Sequence, residues 1–435
     1  MTPAAWTSWS IPSPCSIPTG WCSRESSISE SRNAPPADLL VVGAGPAGAA
    51  LAIHAAGSGL RVTLLDRSRF PRDKICAEYL SPETLRRLAR LGVLDRVEEQ
   101  GGVPLAGTAV FGPGGSRLQG LFARAAVAPF RPTGLSVQRR FLDAILVDRA
   151  RRAGATVAEG LAVTDLLYDG GNVAGAVARD AGGRVRLFRA RLTAGADGLR
   201  STVARRLGVG RYGFPARLAF VAYIDGVADL TDCAEMHVGS QGYVGLNPLG
   251  DGLANVALVV PRRLTLAARG DPTGFFRARL GSFPAVHDRL AAGRIVRRTM
   301  VTGPFAYRAR RVTTGGALLL GDAADFFDPF TGEGIGSALR GAELAAETAI
   351  EALETPGIVE AARLKPYARA RRAAFAGKWA VERLIGWGML APRLFDRAVH
   401  NLESRGWSHT FIGVTGDFVP PRAVLNPRVL TGMLW

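Results

Sequence analysis

The chain has 435 residues, a length that a prior of roughly 150 residues per domain interprets as two or three folding units. Hydrophobic residues make up 47% and charged residues 21%, which excludes a disordered or fibrous protein and favours a globular one. The formal net charge is +17, from 54 Lys+Arg against 37 Asp+Glu. Only three of these cations are lysines and the arginines are scattered, so we do not expect a nucleic-acid partner.

The N-terminal segment differs in composition from the rest of the chain. Residues 1–37 hold nine Ser and six Pro without a helical or strand period, which predicts a disordered or loosely packed extension. The cysteines Cys15, Cys22, Cys76 and Cys233 form no CxxC pair, and no charged segment precedes an apolar run at the N-terminus. We therefore expect a cytoplasmic protein.

Residues 39–60 carry no Lys, Arg, Asp or Glu, a length that would span a bilayer if it were helical throughout. Repeated glycines instead divide the stretch into a short β-run, a tight turn, a helix and a second turn. The β-branched run at residues 61–66 follows. Residues 38–66 therefore predict a βαβ unit rather than a membrane span.

The turn of this unit contains a GxGxxG pattern formed by Gly43, Gly45 and Gly48. These glycines permit a sharp turn, close approach of a pyrophosphate, and close packing of helix and strand, and the free N–H groups at the helix start bind phosphates. Asp66 ends the second strand, where its carboxylate can accept hydrogen bonds from an adenosine ribose, and Arg67 is a candidate phosphate or adenine contact. This context favours a dinucleotide site over a glycine-rich turn without a ligand.

A second GxGxxG match, at residues 208–213, lacks that context. It follows a helical pattern instead of a strand, and the Phe-Pro pair after it does not open a helix. We interpret it as a loop, so a nicotinamide cofactor would have to bind without a fingerprint of its own.

The remaining elements alternate between helical and strand-like patterns. We predict helices near 82–91 and 138–153, a mixed β region near 101–135, a hairpin at 161–189, strands across 215–260 and a helical region at 340–402.

Two further small-residue turns follow predicted strands. Asp197-Gly198 ends a strand, and Ser201 is placed to cap the helix that follows. The run at 316–321 is a buried strand that delivers Asp322, and a glycine-rich turn near Gly332 then opens another helix with its positive end forward.

In this order, the three motifs resemble the FAD-dependent oxidoreductases of the p-hydroxybenzoate hydroxylase fold over about residues 38–347. The resemblance implies an α/β fold with an α+β insertion: a Rossmann-like FAD-binding domain of the glutathione reductase type, a β-rich substrate domain and a helical C-terminal tail. The implied units are the extension 1–37, a discontinuous FAD-binding domain at 38–105, 135–212 and 300–350, a substrate domain at 106–134 and 213–299, and a helical region at 351–435.

The resemblance also assigns site residues. The implied FAD-binding residues are Gly43, Gly45, Pro46, Ala47, Gly48, Asp66, Arg67, Arg139, Asp197, Gly198, Gly321, Asp322, Gly332, Gly334 and Ile335. In the family, the Asp-Gly motif contributes to flavin and nicotinamide handling, the counterpart of Asp322 binds the ribityl chain, and the helix start after Gly332 lies beside the N1/C2=O edge of the isoalloxazine. Preorganised N–H donors at that edge suit the negative charge of a reduced flavin.

Finer similarities point to the geranylgeranyl reductase branch, which includes prenyl-chain reductases and polyketide-tailoring flavoenzymes. Residues 70–76 and 328–335 are similar to that branch, and residues 137–143 resemble the segment whose arginine touches FAD. The chain departs from it where Ala77-Glu78 replaces glycines and where residues 242–248 lack a tryptophan. Flavin halogenases share the scaffold, but their Trp-x-Trp-x-Ile-Pro segment is missing.

Cys76 and Pro329 are the candidate flavin-proximal residues in this pattern. A free cysteine can equally be inert packing, so the role of Cys76 stays open. The histidines show no metal-ligand spacing, and we expect no metal. The basic aromatic stretch at 378–387 offers a membrane contact, but we favour a solvated helix packed on the body.

These features predict a soluble FAD-dependent oxidoreductase. We expect a monooxygenase that uses NAD(P)H and O2 on a hydrophobic substrate, either a polyketide-derived aromatic compound or an isoprenoid. The alternative is a geranylgeranyl reductase-like enzyme that reduces carbon–carbon double bonds; a halogenase or a non-catalytic flavin-binding protein is less favoured. The sequence does not choose between NADH and NADPH, nor does it indicate the oligomeric state.

Overall fold

The computed structural model describes residues 36–435. Its helices are α1 (Pro46–Gly57), α2 (Pro82–Arg90), α3 (Leu94–Glu98), α4 (Arg139–Arg152), α5 (Thr202–Arg206), α6 (Pro272–Leu280), α7 (Pro284–Leu290), α8 (Gly334–Leu353), α9 (Lys365–Gly388), α10 (Pro392–Ser404), α11 (Ser408–Thr415) and α12 (Pro427–Leu434). Residues 1–35 of the predicted extension lie outside the described residues.

The strands belong to four sheets. They are β1 (Ala37–Val42), β2 (Val62–Asp66), β3 (Tyr79–Leu80), β4 (Val103–Leu105), β5 (Gly107–Phe111), β6 (Arg117–Leu121), β7 (Gly134–Ser136), β8 (Thr156–Glu159), β9 (Ala162–Asp169), β10 (Asn172–Arg179), β11 (Val185–Gly195), β12 (Gly210–Tyr212), β13 (Arg217–Asp225), β14 (Cys233–Gly239), β15 (Gly242–Gly250), β16 (Leu253–Pro261), β17 (Arg294–Thr302), β18 (Tyr307–Ala309), β19 (Thr313–Thr314), β20 (Ala317–Leu319) and β21 (Asp325–Phe326). This mixture confirms the predicted α/β class.

A mostly parallel sheet holds the predicted βαβ unit. Its main order is β19-β20-β11-β1-β2-β8, with β10 and β9 added beside β11, and β1 pairs in parallel with both β2 and β11. Helix α1 is rich in alanine and almost wholly buried, because it packs between the sheet, α4 and α8. No helix among residues 36–435 is long and apolar enough to cross a membrane.

A second, seven-stranded sheet has the order β17-β13-β16-β15-β14-β5-β6 and is antiparallel except between β14 and β5. Side chains alternate between its two faces, as the strand period of two requires. On β13, Phe220 and Ala222 pack towards α6 and α7, whereas Ala219 and Val221 face the opposite way, where the C-terminal helices lie. This inner face is apolar and opens on the parallel sheet.

The prediction that residues 208–213 form a loop is wrong in part. Within them β12 forms a short strand that pairs antiparallel with β18, Gly210 opposite Ala309 and Tyr212 opposite Tyr307. The partner strand is about a hundred residues away in the chain, so tertiary pairing overrides the local signal.

The predicted helical region begins earlier than expected, since α8 starts at Gly334, and it continues through α9 and α10 to α12. The predicted hairpin at 161–189 is a three-stranded meander in which β10 pairs with β9 and β11. The domain bounds stay a prediction.

Candidate active site

One large cavity of about 510 Å³ lies between the carboxyl ends of the parallel strands and the inner face of the seven-stranded sheet. Because parallel strands end at one edge of their sheet, the turns after β1, β2, β11 and β20 meet there. Sixteen of the seventeen predicted site residues line it: Gly43, Gly45, Pro46, Ala47, Asp66, Arg67, Cys76, Arg139, Asp197, Gly198, Gly321, Asp322, Pro329, Gly332, Gly334 and Ile335.

Gly48, the exception, lies behind the cavity and works through packing. A Cβ on Gly48 would lie 1.8 Å from the carbonyl oxygen of Gly43, so only glycine lets α1 approach the turn this closely. Gly43 itself has a φ of +99°, and a Cβ there would lie 2.5 Å from the oxygen of Ala196. The turn is therefore fixed by backbone constraints.

Gly45 differs from these two glycines because it faces open space. A Cβ there would meet nothing closer than Arg72 Nη2, at 3.9 Å. The start of α1 receives no side-chain cap, so its first N–H groups stay available at the cavity. An uncapped helix start beside an open backbone is an anion site, which fits the pyrophosphate of FAD.

Asp66 is buried and already holds the turn in place. Its Oδ2 accepts a hydrogen bond from the N–H of Ala44 at 2.8 Å, and its Oδ1 accepts one from the N–H of Ser68 at 2.8 Å. The carboxylate thus links β2 to the glycine turn. Its predicted contact with a ribose stays a prediction, as does the role of Arg67, which lines the cavity.

Arg139 lies at the start of α4 and is held rigidly. Its Nε and Nη2 each donate to Asp143 at 2.9 Å, and Arg72 Nη1 is also 2.9 Å from this carboxylate, which is fully buried. Lys74 lines the cavity nearby, and desolvation together with Arg139 and Arg72 lowers the pKa of its ammonium group. The cluster gives this part of the cavity a positive charge.

Asp197 caps α5 in addition to lining the cavity. Its Oδ1 accepts from the Ser201 hydroxyl at 2.5 Å and its Oδ2 from the N–H of Thr202 at 2.6 Å, while Ser201 Oγ accepts from the N–H of Ala204 as predicted for a helix cap. Burial raises the pKa of the Asp197 carboxyl. Its part in flavin or nicotinamide handling remains a prediction.

The loop that carries Pro329 is anchored by a buried ion pair. Asp328 accepts from Arg217 Nη1 at 2.7 Å and from the Tyr243 hydroxyl at 2.6 Å, which ties the loop to β13 and β15. The start of α8 beyond it has no side-chain cap. Burial raises the pKa of Asp322, which faces Lys74 and Arg139 from the other side.

The segment after Cys76 holds a residue that the sequence analysis did not select, Glu78. It is 1% exposed with a φ of +63°, a left-handed conformation that favours glycine. Its carboxylate accepts from the Tyr223 hydroxyl, from the N–H of Arg139 at 3.1 Å and from Asn255 Nδ2 at 3.1 Å. The backbone thus keeps a glycine-type shape at this departure from the reductase pattern while adding a buried carboxylate.

Side chains of the seven-stranded sheet also hold the loop that carries Cys76. Asn255 Nδ2 donates to the carbonyl of Cys76 at 2.7 Å, and Asn247 Nδ2 donates to that of Ala77 at 3.0 Å. Arg297 lies 3.3 Å from the ring centroid of Tyr223, and within the described residues its guanidinium nitrogens have no hydrogen-bond partner. Burial raises the pKa of both the Cys76 thiol and the Glu78 carboxyl.

The part of the cavity beyond Cys76 is apolar. The seven-stranded sheet contributes small and aliphatic side chains, and aromatic rings close the far side: Ala219, Val221, Ala234, Met236, Ala257, Val259, Phe305, Phe326 and Phe330. Such walls favour a hydrophobic ligand.

A small polar cavity of about 40 Å³ lies behind the Pro329 loop, between α8 and α9. Glu333 and Glu382 line it, and burial raises the pKa of each to about 7. Lys378 Nζ donates to Ser337 Oγ at 2.6 Å there. Sequence spacing alone gave no signal for this group, because its members come from two helices.

Comparison with known proteins supports the assignment of the large cavity. Residues 36–381 match the model of the FAD binding domain family. The chain belongs to this family. It is 30% identical over 329 residues to digeranylgeranylglycerophospholipid reductase of Methanosarcina acetivorans, an alignment that covers 73% of this chain and 76% of the relative. The suspected geranylgeranyl reductase-like branch is thereby confirmed.

Two solved structures share the fold. The myxobacterial chondrochloren halogenase is 27% identical with a TM-score of 0.73, covering 80% of this chain and 82% of that one. The geranylgeranyl bacteriochlorophyll reductase-like protein from Thermoplasma acidophilum is 23% identical with a TM-score of 0.75, covering 91% and 98%. The protein is a FAD-dependent oxidoreductase.

Proposed function

We propose that the protein reduces carbon–carbon double bonds of a hydrophobic isoprenoid substrate, with FAD as cofactor and NAD(P)H as electron donor. The relative named above is a reductase, and this supports the alternative reached from the sequence better than the favoured monooxygenase. The observation that carries the proposal is a single cavity in which a FAD-type cradle, the Cys76 thiol and an apolar wall adjoin.

The chain supplies groups suited to each part of the cofactor. The uncapped start of α1 at Gly45 and the cations Arg72 and Lys74 would hold the pyrophosphate, and Asp322 would bind the ribityl chain. The uncapped start of α8 would stabilise negative charge. When bound, FAD supplies the hydride that such a reduction requires.

Reduction of a double bond also needs a proton, because the product gains two hydrogens. Cys76 lines the cavity, and burial keeps its thiol protonated by raising its pKa. We assign the proton donation to Cys76 Sγ, with re-protonation from solvent. The hydrogen bonds from Asn255 and Asn247 to its segment hold the thiol in position.

The test separates reduction from oxygenation by the fate of the electrons. The holoenzyme is reduced under nitrogen, mixed with a geranylgeranyl lipid, and followed by flavin absorbance and product mass. We expect anaerobic reoxidation that depends on substrate and a product that gains two hydrogens. Product formation only after oxygen is admitted, with an added oxygen atom, would replace the reductase by the monooxygenase.

Cys76→Ser gives the residue-level test, with Cys233→Ser as the matched control. Cys233 is the other cysteine among the described residues, and it is buried at the start of β14 outside the cavity lining. We expect Cys76→Ser to keep bound FAD and slow substrate-dependent reoxidation by about tenfold or more, the range of a general acid. Equal rates of flavin reoxidation in both variants would show that Cys76 is a packing residue and not the proton donor.

A further inference from the structure

The outer surface of the C-terminal helices exposes several large apolar side chains. Trp387 is 55% exposed and Trp435 is 87% exposed, although most tryptophans in folded proteins are largely buried. We define the C-terminal apolar patch as Leu384, Trp387, Leu390, Leu394, Leu434 and Trp435. Its members come from the end of α9, the connection 389–391, the start of α10, and the end of α12 with the residue that follows it.

The helices that carry the patch contact one another. Leu384 and Trp387 are three residues apart on α9 and so share a face, and only residues 389–391 separate α9 from α10. Helix α12 packs along α10, where Asn401 Nδ2 donates to the carbonyl of Met433 at 3.2 Å. Arg397 Nη1 also donates to the carbonyl of Leu434 at 3.4 Å, so the end of α12 lies beside α10, the helix that carries Leu394.

The surface around the patch is basic. Residues 365–435 contain eleven Lys or Arg, of which Arg371 and Lys378 are buried, and four Asp or Glu. Exposed arginines flank the patch, among them Arg393, Arg397 and Arg428. A basic rim around exposed tryptophan and leucine is complementary to an anionic surface that has an apolar interior.

Asp396, Glu382 and Asp417 are half-buried, whereas Glu403 is exposed. Asp396 accepts from Ser116 Oγ at 2.7 Å, Glu403 accepts from Ser408 Oγ at 2.6 Å, and Asp417 pairs with Arg87 at 3.4 Å. Glu382 lines the small polar cavity. The partners of Asp396, Glu403 and Asp417 are therefore residues other than the arginines that flank the patch.

The patch lies close to the apolar end of the active-site cavity. Phe395 follows the exposed Leu394 and packs edge to face on Phe330 with centroids 6.4 Å apart, and Phe330 lines the cavity. Phe330 and Phe395 thus connect the cavity wall to α10, the helix that carries Leu394.

We propose that the C-terminal apolar patch docks on an anionic lipid bilayer, so that the isoprenoid chain reaches the cavity from the membrane side. The second half of this statement rests on the proposed function, whereas the docking does not. The inner face of α9 packs on the body through Phe375, Val381 and Ile385, as the sequence analysis favoured. The same helix presents its outer face to the bilayer.

Flotation of the holoenzyme with vesicles tests the docking without any turnover. The probes are vesicles of phosphatidylcholine alone and of phosphatidylcholine mixed with phosphatidylglycerol. We expect binding to the mixed vesicles that weakens with salt. Arg393→Gln with Arg428→Gln should lower the partition coefficient about five-fold for each arginine removed, because each cation near an anionic surface contributes about that factor.

The apolar contribution is tested by Trp387→Ser with Trp435→Ser, which should lower binding about tenfold or more with FAD content unchanged. Leu266→Ser is the matched control, since this leucine is 64% exposed on the 3-10 turn at Arg262–Ala268, outside the patch. Equal binding by the patch variant and the control would overturn the proposal. The proposal would also be overturned if the wild type were a dimer that binds no vesicles and the patch variant were a monomer. A second copy of the chain would then cover the patch.

The two proposals fail differently. Vesicle binding without anaerobic reduction of a geranylgeranyl lipid would support the docking proposal and contradict the reductase proposal. Reduction of a detergent-dispersed substrate without vesicle binding would leave the reductase and remove the docking.

Discussion

The two sides of the cavity are built by different means. On the parallel-sheet side, the turns after β1, β11 and β20 act through backbone shape and N–H groups, as Gly43 and Gly45 illustrate. On the side of the seven-stranded sheet, Glu78, Tyr223 and Arg297 meet through their side chains from distant segments. A site made by contiguous backbone leaves a motif in the sequence, whereas a site made by separated side chains leaves none.

Gly45→Asp, on the parallel-sheet side, is expected to have the largest effect of the variants considered, a loss of FAD affinity. The new Cβ has space, so the fold should persist, but the carboxylate would stand at the helix start where an anion must bind. We expect FAD affinity to fall by about 100-fold or more, measured by fluorescence titration of the apoprotein. Asp322→Ala should weaken FAD less, since it removes one polar contact.

Gly45→Ala is the matched control and should keep FAD binding within a few-fold, because the same Cβ is added without the charge. Unchanged FAD affinity in Gly45→Asp would show that the cofactor lies elsewhere. Unfolding in both variants would contradict the open space at this position.

Glu78→Ala is expected to disrupt the side-chain network on the side of the seven-stranded sheet and to leave the glycine turns of the parallel sheet intact. It leaves the Tyr223 hydroxyl, the Arg139 N–H and Asn255 without their acceptor, and Arg297 without its nearest carboxylate. We expect a loss of about 3 kcal/mol in the free energy of unfolding by urea, with FAD content unchanged.

Tyr223→Phe removes one donor from the same network and should cost about 1 kcal/mol. The double variant should then cost less than the two single losses together, because the residues share a hydrogen bond. Strict additivity would show that Glu78 and Tyr223 act independently.

The contrast also explains how much the sequence could predict. The βαβ unit and the helix cap at Ser201 follow from local glycine and strand patterns, whereas the family resemblance selected other cavity residues such as Arg139 and Cys76. The sequence showed Glu78 only as a replacement of a glycine of the reductase pattern. Its left-handed backbone and its partners on β13 and β16 depend on the tertiary structure, which the sequence pattern does not give. The strand β12 was missed for the same reason, since β18 supplies its pairing.

Glu333 offers a pH test of the small polar cavity. Burial raises the pKa of its carboxyl from 4.5 to about 7, and its Oε1 has no hydrogen-bond partner among the described residues. A raised pKa means that the folded state holds the proton more tightly, so the stability from this group is present below pH 4.5 and lost as the pH rises through about 7. The loss amounts to about 3 kcal/mol at most.

Glu333→Gln should remove the share of that pH dependence due to Glu333, leave the share due to Glu382, and be more stable than the wild type at pH above 7, measured by urea unfolding of the holoenzyme across the range. Glu347→Gln is the control, because this glutamate is exposed on the same helix and should leave the profile unchanged. Parallel profiles for the wild type and Glu333→Gln would contradict a buried carboxylate at this loop.

Removal of residues 1–35 is expected to have the smallest effect, within about two-fold on FAD affinity. Among the described residues, the cavity lining runs from residue 42 to residue 338. The first strand is also held at its start from within the described chain: Asp38 Oδ2 accepts from the N–H of Arg61 at 3.0 Å, and Asp38 Oδ1 accepts from Arg191 Nη1 at 3.2 Å. Asp38→Asn in the truncated chain should weaken this clamp and lower the thermal midpoint, which shows whether the clamp or the removed segment secures β1. A truncated protein that folds but purifies without FAD would place part of the cofactor site in residues 1–35.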